Sequence, residues 1–227
     1  MRDVLRACVR AAWRAASWAG GFAGGGGAGL CRSWREGVVR GVMAVGLAAS
    51  MAVQLALLRL DGQLTLQTGL PLHLCGLFGV LSIPMLLWRA PQPLYELSAF
   101  LAGPAAAVTL LFPAVIASSR PVLMRLAFLQ LHVLVALTPV MLWRAGKPLP
   151  TDPRRALVLA SGYLLAVAAF NRALNTNYLF LSAAPAGTPL KWLYVRGGGY
   201  YVCALAMLCM VCLLYTSDAA DEEDSVD

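Results

Sequence analysis

The sequence is poor in charged residues, and most of those it has are basic. Charged residues make up 13% of the chain, against about 25% in a typical soluble domain. Hydrophobic residues reach 59%, above the roughly 45–50% that such a domain contains. The composition, with a mean hydropathy of +0.70, excludes an ordinary soluble enzyme and indicates an integral membrane protein.

Residues that bind metal ions are equally scarce. The chain has two histidines and six cysteines, with no CxxC motif and no spacing typical of a metal site. No basic patch is interleaved with aromatic residues, so nucleic acid is not an expected partner. We expect no metal and no cofactor. Membrane lipids are the expected partners, and the basic excess then serves orientation and lipid contact.

Long apolar runs, by contrast, are abundant. A helix needs about 20 apolar residues to cross the hydrocarbon core, and the runs lack the period-2 alternation of membrane strands. The predicted fold class is all-α, a polytopic membrane bundle of about six transmembrane helices. The predicted spans are 41–60, 70–88, 94–117, 121–143, 155–173 and 197 onward.

Lys and Arg set the predicted orientation, because these residues concentrate on the cytoplasmic side of membrane proteins. A cytoplasmic N-terminus places twelve of the 18 basic residues inside. We therefore expect a multi-pass protein of the cell membrane whose N-terminus is cytoplasmic.

Both ends of the chain differ from its apolar middle, residues 39–211, which form the predicted transmembrane domain. Residues 1–38 predict a basic N-terminal extension with a Gly-rich linker, either an interfacial helix or a weakly ordered segment. Within 212–227, CLLYTSDAAD resembles a translated transposase mosaic-end adapter. We expect this tail to be an artefact and the natural chain to be cut short inside its sixth span. The alternative is a genuine acidic tail.

The few polar side chains near the predicted spans fall mostly at one depth. Polar groups are costly in hydrocarbon, so such residues face the bundle interior and are candidates for function. His132 lies a little deeper than the rest. The predicted topology places the following residues together in the outer half of the membrane: Asp61, Gln63, His73, Cys75, Asn171, Asn175, Asn177 and Tyr178.

Helical geometry limits which of these side chains share a face. At 3.6 residues per turn, His73 and Cys75 are about 200° apart on a regular helix, with Pro71 expected in its first turn. Gln130 and His132 lie on opposite faces, so at most one of them shares the interior with Thr138. Asn171 and Asn175 are i, i+4 neighbours and predict a small amide ladder.

Glu96 stands apart from this group at the opposite end of a span. A carboxylate suits the positive end of a helix dipole, so we expect Glu96 to be solvated or to lie in a first helical turn.

Three segments resemble a known family: LPLHLC at 70–75, LQLHVLV at 129–135 and NTNYLFL at 175–181. Over about residues 40–211 the chain looks like the YwaF-like bacterial integral membrane protein family, related to the eukaryotic transmembrane protein 164 group. The resemblance implies six to seven helices. In the eukaryotic group it implies a phospholipid acyltransferase activity with a cysteine nucleophile. More distantly, the fold resembles intramembrane lipid hydrolases that pair a threonine with a histidine.

Carried onto this chain, the resemblance implies Cys75 as the nucleophile, His132 as the base and His73 as a supporting catalytic group. An oriented amide could act as an oxyanion donor. The residues implied to line the substrate site are Asn171, Asn175, Asn177 and Tyr178.

Other functions stay open beside acyl transfer or lipid hydrolysis. A small-ligand transporter or binding protein would use the polar band as a vestibule, although no internal repeat supports this class and no acidic residue lies deep in a span. A non-catalytic membrane scaffold is the third class. In that case Cys75 is a packing residue, His132 a hydrogen-bonded core histidine, and NTNYLFL a helix cap.

Overall fold

The computed structural model describes residues 28–88, 90–113, 115–148 and 153–184. Within these ranges the regular structure is helical, without a β-strand. The chain divides into two compact units, residues 1–39 and 40–227. The elements in chain order are α1 (Ala28–Leu60), α2 (Leu74–Leu87), α3 (Gln92–Leu97), a π-helix (Ser98–Ala102), α4 (Gly103–Leu111), α5 (Pro121–Arg144), α6 (Pro153–Leu174) and a 3₁₀ turn (Tyr178–Phe180).

Among the described residues, four helical stretches are long and apolar enough to cross a membrane: Glu36–Leu60, Gln92–Leu111, Pro121–Arg144 and Arg155–Leu174. The apolar helix α2 has 14 residues, so at 1.5 Å per residue it is about 21 Å long. The all-helical membrane class is thus confirmed. The predicted sixth span lies outside the described residues, as do the C-terminal tail and residues 1–27, so the six-helix count and the artefact tail stay predictions.

Two predicted boundaries move for local reasons. The second span was expected from residue 70, but α2 begins at Leu74, and Pro71 lies before the helix rather than in its first turn. His73 is the N-cap residue and has extended dihedral angles, φ −73° and ψ 143°. The third span ends at Leu111 instead of 117, because Phe112 precedes Pro113 and takes φ −129° and ψ 70°.

A π-helix interrupts the third span between α3 and α4. Its wider turn, Ser98–Ala102, ends just before Gly103 and Pro104. Proline lacks the N–H that would continue the ladder, and its ring crowds the preceding turn. The wider turn accommodates the ring within an otherwise continuous helix, and such π turns are frequent at functional sites.

In the described part of unit 40–227, the core lies where helices α1 to α6 meet. It is built mainly from aliphatic and aromatic side chains, and small residues let the helices approach closely. A methyl group at Gly79 of α2 would lie 2.9 Å from Leu131 Cδ1 and 3.1 Å from Met51 Sδ. The largest cluster of buried side chains includes Met43, Leu47, Phe78, Leu86, Phe100, Leu131, Val135 and Ala160.

Candidate functional site

The loop before α2 and the segment after α6 lie against each other, and Tyr178 joins them. Its side chain is fully buried. Tyr178 Oη donates a hydrogen bond to Leu66 O (2.6 Å) and accepts one from Leu70 N–H (3.2 Å). Gln67 Nε2 donates to Asn175 O (3.0 Å). The predicted proximity of LPLHLC and NTNYLFL is therefore confirmed. We call this region the Cys75 end of the bundle.

Helix α6 ends in a Schellman motif centred on Asn175. Asn175 has φ +50°, which is a left-handed backbone conformation. Glycine is the most common residue at such a helix end, and asparagine is the next best tolerated. Thr176 N–H bonds back to Asn171 O at 3.1 Å, the 6→1 bond that defines the motif. Asn175 thus leaves the helical face on which Asn171 lies, and its side chain is exposed. The expected amide ladder is wrong, because helical periodicity stops at Leu174.

Asn171 is buried and fixes the chain that follows the cap. Its Oδ1 accepts hydrogen bonds from Thr176 Oγ1 (2.8 Å) and Tyr178 N–H (2.9 Å). Its Nδ2 donates to Tyr178 O (2.8 Å). Only 3% of Asn171 is exposed, so its amide acts within the protein as a clamp.

Asn177 closes the next turn in the same manner. Its Oδ1 accepts from Ser182 N–H (2.9 Å) and Ala183 N–H (3.0 Å), and its Nδ2 donates to Ala183 O (2.9 Å). Between these two clamps, Leu179 and Phe180 both take φ +56°. Bulky residues rarely adopt this conformation, and such strain persists only where the surroundings impose it, often at functional sites.

His73 meets this strained turn directly. Its ring lies between Tyr178, with centroids 5.2 Å apart, and Phe180, at 5.0 Å. Leu179 N–H donates to His73 Nδ1 at 3.3 Å. Because a backbone N–H can only donate, Nδ1 is the acceptor and a neutral His73 carries its proton on Nε2. His73 therefore presents a donor at Nε2.

Cys75 is the second residue of α2. The N-cap His73 makes no side-chain cap to this helix, and the first intrahelical bond runs from Leu77 N–H to His73 O (2.8 Å). The amides of the first turn, Leu74 to Gly76, have no acceptor within the helix. Cys75 is half-buried with a free thiol, and the Thr109 hydroxyl of α4 lies near that thiol.

Because His73 has extended dihedral angles, His73 and Cys75 can belong to one site despite their spacing of two residues. The 200° separation expected of His73 and Cys75 applies to a regular helix, whereas His73 precedes the helix. Sequence reasoning did not single out Thr109, because a helical threonine ordinarily donates to the i−4 carbonyl, as Thr109 does to Ala105 O (2.9 Å).

His132 is buried on α5, with 5% exposed. Its Nδ1 lies 2.7 Å from Phe128 O. A carbonyl oxygen only accepts, so Nδ1 carries the proton and Nε2 has the free lone pair. As predicted, Gln130 points the other way: it is exposed and donates to Gly46 O (3.4 Å) of α1, while Thr138 is buried with His132.

The predicted site residues are thus joined in part. Direct contacts connect His73, Asn171 and Tyr178 with the turn that Asn177 closes, and Cys75 follows His73 by two residues. The contacts of His132 described above stay within α5, so its pairing with Cys75 remains a prediction. In the part of the chain described, no group of three or more His, Cys, Asp or Glu side chains is arranged to hold a metal ion.

Glu96 lies at the opposite end, beyond the last residue of α2, and it overturns an expectation. It is only 6% exposed, so it is not solvated. It is the fifth residue of α3, within a stretch long and apolar enough to span the membrane. Glu96 is therefore neither solvated nor in the first turn of its helix, and the expectation for it is wrong. We call this region the Glu96 end.

The chain was compared with known proteins by family model, by curated sequence and by solved structure. Residues 18–216 match the model described as the TMEM164 family. No curated protein and no solved structure matches the chain. The family match supports the broader of the two resemblances named above, and the narrower assignment to YwaF-like bacterial proteins stays a prediction.

Proposed function

The chain belongs to the TMEM164 family of membrane proteins, and on that premise we propose that it is an intramembrane phospholipid acyltransferase with Cys75 as nucleophile. The resemblance described above motivates the chemistry, and one observation carries it. Cys75 lies in the first turn of a helix whose N-cap residue makes no side-chain cap, near the Thr109 hydroxyl and two residues after His73.

The reaction needs the Cys75 anion, which burial of the thiol disfavours and its place in the first turn of a helix favours. The thiolate is the nucleophilic form of cysteine, and helix N-termini favour it. The free first-turn N–H groups of Leu74, Cys75 and Gly76 are also donors for the oxyanion of a tetrahedral intermediate. In a buried site such fixed donors stabilise developing charge more than water does.

The two histidines take complementary roles in this proposal. His132 has its lone pair on Nε2 and serves as the general base, with Phe128 O holding the tautomer through Nδ1–H. His73 has its proton on Nε2 and donates to the carbonyl oxygen or phosphate of the lipid. Pairing of Cys75 with His132 requires hydrogen-bond reach in the lipid-bound state.

The reaction then proceeds in two balanced steps. In the first, the thiol proton passes to His132, and the sulfur attacks the ester carbonyl of a donor phospholipid. The carbon–oxygen bond breaks, the lysophospholipid leaves with that proton, and an acyl thioester remains on Cys75. In the second, the hydroxyl of an acceptor lysophospholipid gives its proton to His132 and attacks the thioester, which restores the thiol. With water as acceptor the same steps amount to hydrolysis.

The NTNYLFL segment shapes the substrate site in two ways. Asn171, Asn177 and Tyr178 act as positioning residues, because their polar groups hold the turn that places Leu179 N–H on His73. Asn175 has an exposed side chain and can contact the lipid itself. Membrane lipids are thus the proposed partners.

The experiment traps the thioester. Purified protein in liposomes receives a phospholipid with an alkyne-tagged acyl chain, and acyl-protein is read with and without neutral hydroxylamine, which cleaves thioesters. Wild type should carry hydroxylamine-sensitive label on Cys75, mapped by mass spectrometry. Cys75→Ala should carry none, and Cys203→Ser, a cysteine change outside the proposed machinery, should label as wild type.

The base is tested in the same assay. His132→Ala should slow acylation by about 10² or more, the usual contribution of general acid–base catalysis. Acyl label that persists in Cys75→Ala would sink the nucleophile assignment. Full-rate acylation in a folded His132→Ala variant would remove His132 as the base.

A further inference from the structure

Glu96 is a buried carboxyl group that the proposed acyl transfer does not use. One oxygen, Oε1, accepts a hydrogen bond from Gln92 Nε2 at 3.1 Å. The other, Oε2, is buried and has no hydrogen-bond partner. Buried polar groups in native proteins are almost always paired, and exceptions point to a bound water, ion or function.

Two further buried side-chain oxygens share the same condition. Ser82 Oγ of α2 and Ser98 Oγ of the π-helix are fully buried and have no hydrogen-bond partner. α2 contacts the π-helix that follows Glu96. Pro104 also lacks the N–H that would bond to a carbonyl in the π turn. Three buried side-chain oxygens of the described residues thus lack a donor.

No neighbouring cation compensates Glu96 within the described residues. On α1, Arg40 Nε donates instead to Leu86 O at 2.6 Å, at the C-terminus of α2. On α6, which packs against α3, Arg155 is exposed. On α5, Arg144 is half-buried in the last turn. An ionised carboxylate buried in a membrane without a partner is costly, so the charge must be cancelled by something bound.

We propose that Glu96 binds a monovalent cation, a proton or Na⁺, at Oε2. A proton makes the side chain a neutral acid that donates a hydrogen bond. A sodium ion instead takes Oε2 together with hydroxyl and carbonyl oxygens, the ligands that hard cations prefer. In both cases, proton and Na⁺, a small cation binds to a buried carboxylate oxygen. This site is separate from the Cys75 end, because α2 lies between them, and it does not depend on the acyltransferase proposal.

A hydrophobic carbodiimide tests this inference on the full chain in liposomes. Dicyclohexylcarbodiimide partitions into membranes and adds to a protonated carboxyl group, which then rearranges to a stable N-acylurea without losing any atom. The adduct is mapped by peptide mass spectrometry. Wild-type protein is labelled over a series of acid to alkaline buffers, in Na⁺ or in choline.

If the bound cation is a proton, labelling of Glu96 should depend on the buffer pH, because the carbodiimide adds to the protonated carboxyl group. If the cation is only a proton, Na⁺ and choline give the same rates. If the site takes Na⁺, sodium protects Glu96 at constant pH and choline does not. Glu96→Gln removes the adduct, and Asp61→Asn, which changes a partly exposed carboxylate in the loop after α1, leaves it.

The inference is overturned if Glu96 in wild-type protein gives no adduct at any pH in either salt. It is equally overturned if the labelling rate of Glu96 is independent of both pH and Na⁺. Because these readouts use the wild-type chain, misfolding of a variant does not decide them. Failure here leaves the thioester assay unaffected, since that assay reports on Cys75.

Discussion

At the Cys75 end of the bundle, Asn171 and Tyr178 place their buried polar groups in hydrogen bonds, whereas at the Glu96 end Glu96 Oε2 and Ser98 Oγ are buried and have no partner. Both regions lie in unit 40–227, and both put polar atoms where water is excluded. The two regions differ in whether their buried polar atoms are still free to bind a ligand. A satisfied network rigidifies its surroundings, while an unsatisfied atom keeps its capacity to bind.

The difference suggests two kinds of role. At the Cys75 end the amides hold a strained turn in place, and the groups left to react are the Cys75 thiol and the histidine Nε2 atoms. At the Glu96 end the free oxygens are themselves the candidate ligands. Substitutions should therefore destabilise the first region and spare, or even stabilise, the second.

The largest effect is expected from Asn171→Ala. It removes three hydrogen bonds and leaves Thr176 Oγ1 and Tyr178 N–H buried without an acceptor. At about 1–3 kcal/mol for each unsatisfied group, we expect at least about 3 kcal/mol of lost stability. Thermal unfolding in detergent measures it. Asn175→Gly, four residues on, should change stability by less than about 0.5 kcal/mol, because glycine suits the left-handed cap position. Equal effects of the two substitutions would contradict the clamp.

Much of the Cys75 end could be predicted from sequence. Apolar runs and basic residues set the depth of each polar group, and depth alone placed LPLHLC beside NTNYLFL. The residue-level orientations could not be predicted. Periodicity treats Asn171 and Asn175 alike, but a cap that turns left-handed at Asn175 buries one and exposes the other.

The Glu96 end could not be predicted for a related reason. The 3.6-residue period predicts which side chains of the third span face the core only while the helix is regular. The wider turn of the π-helix at Ser98–Ala102 rotates the side chains on its two sides relative to each other. Pro104 inside an apolar run was the available signal, since proline must be accommodated in a helix interior. Nor does the sequence show that α6 covers α3, which removes Glu96 from solvent.

Tyr178→Phe should have the next largest effect. The ring stays, but Leu66 O loses a donor and Leu70 N–H loses an acceptor. We expect a loss of about 1–2 kcal/mol and faster amide hydrogen exchange at Leu70. Tyr163→Phe is the matched control, because it removes a single hydrogen bond, to Leu72 O (2.7 Å). A Tyr178→Phe variant with unchanged exchange at Leu70 would argue against the link between loop and cap.

Ser98→Ala should act in the opposite direction. Removing a buried hydroxyl that has no partner relieves its desolvation penalty, so stability in Na⁺-free buffer should rise by up to about 1 kcal/mol. Ser50→Ala makes the same chemical change where the hydroxyl is paired, with Gly46 O at 2.8 Å, and should lower stability. If both substitutions are equally destabilising in thermal unfolding, Ser98 is paired and the contrast between the two ends disappears.

The smallest effect concerns Asp61, a partly exposed carboxylate after α1 that anchors the loop before α5. Hydrogen bonds from the Ser118 hydroxyl (2.6 Å) and from Ser119 hold the pKa of Asp61 below its usual value of 3.8. A lowered pKa means that the anchor is fully present above pH 3.8 and is lost as the pH falls through the folded-state pKa. A spin label at Ile116→Cys should therefore be restrained at neutral pH and become mobile only under acid conditions. In Asp61→Asn the label should be mobile at every pH, and a pH response that survives this substitution would assign the anchor to another group.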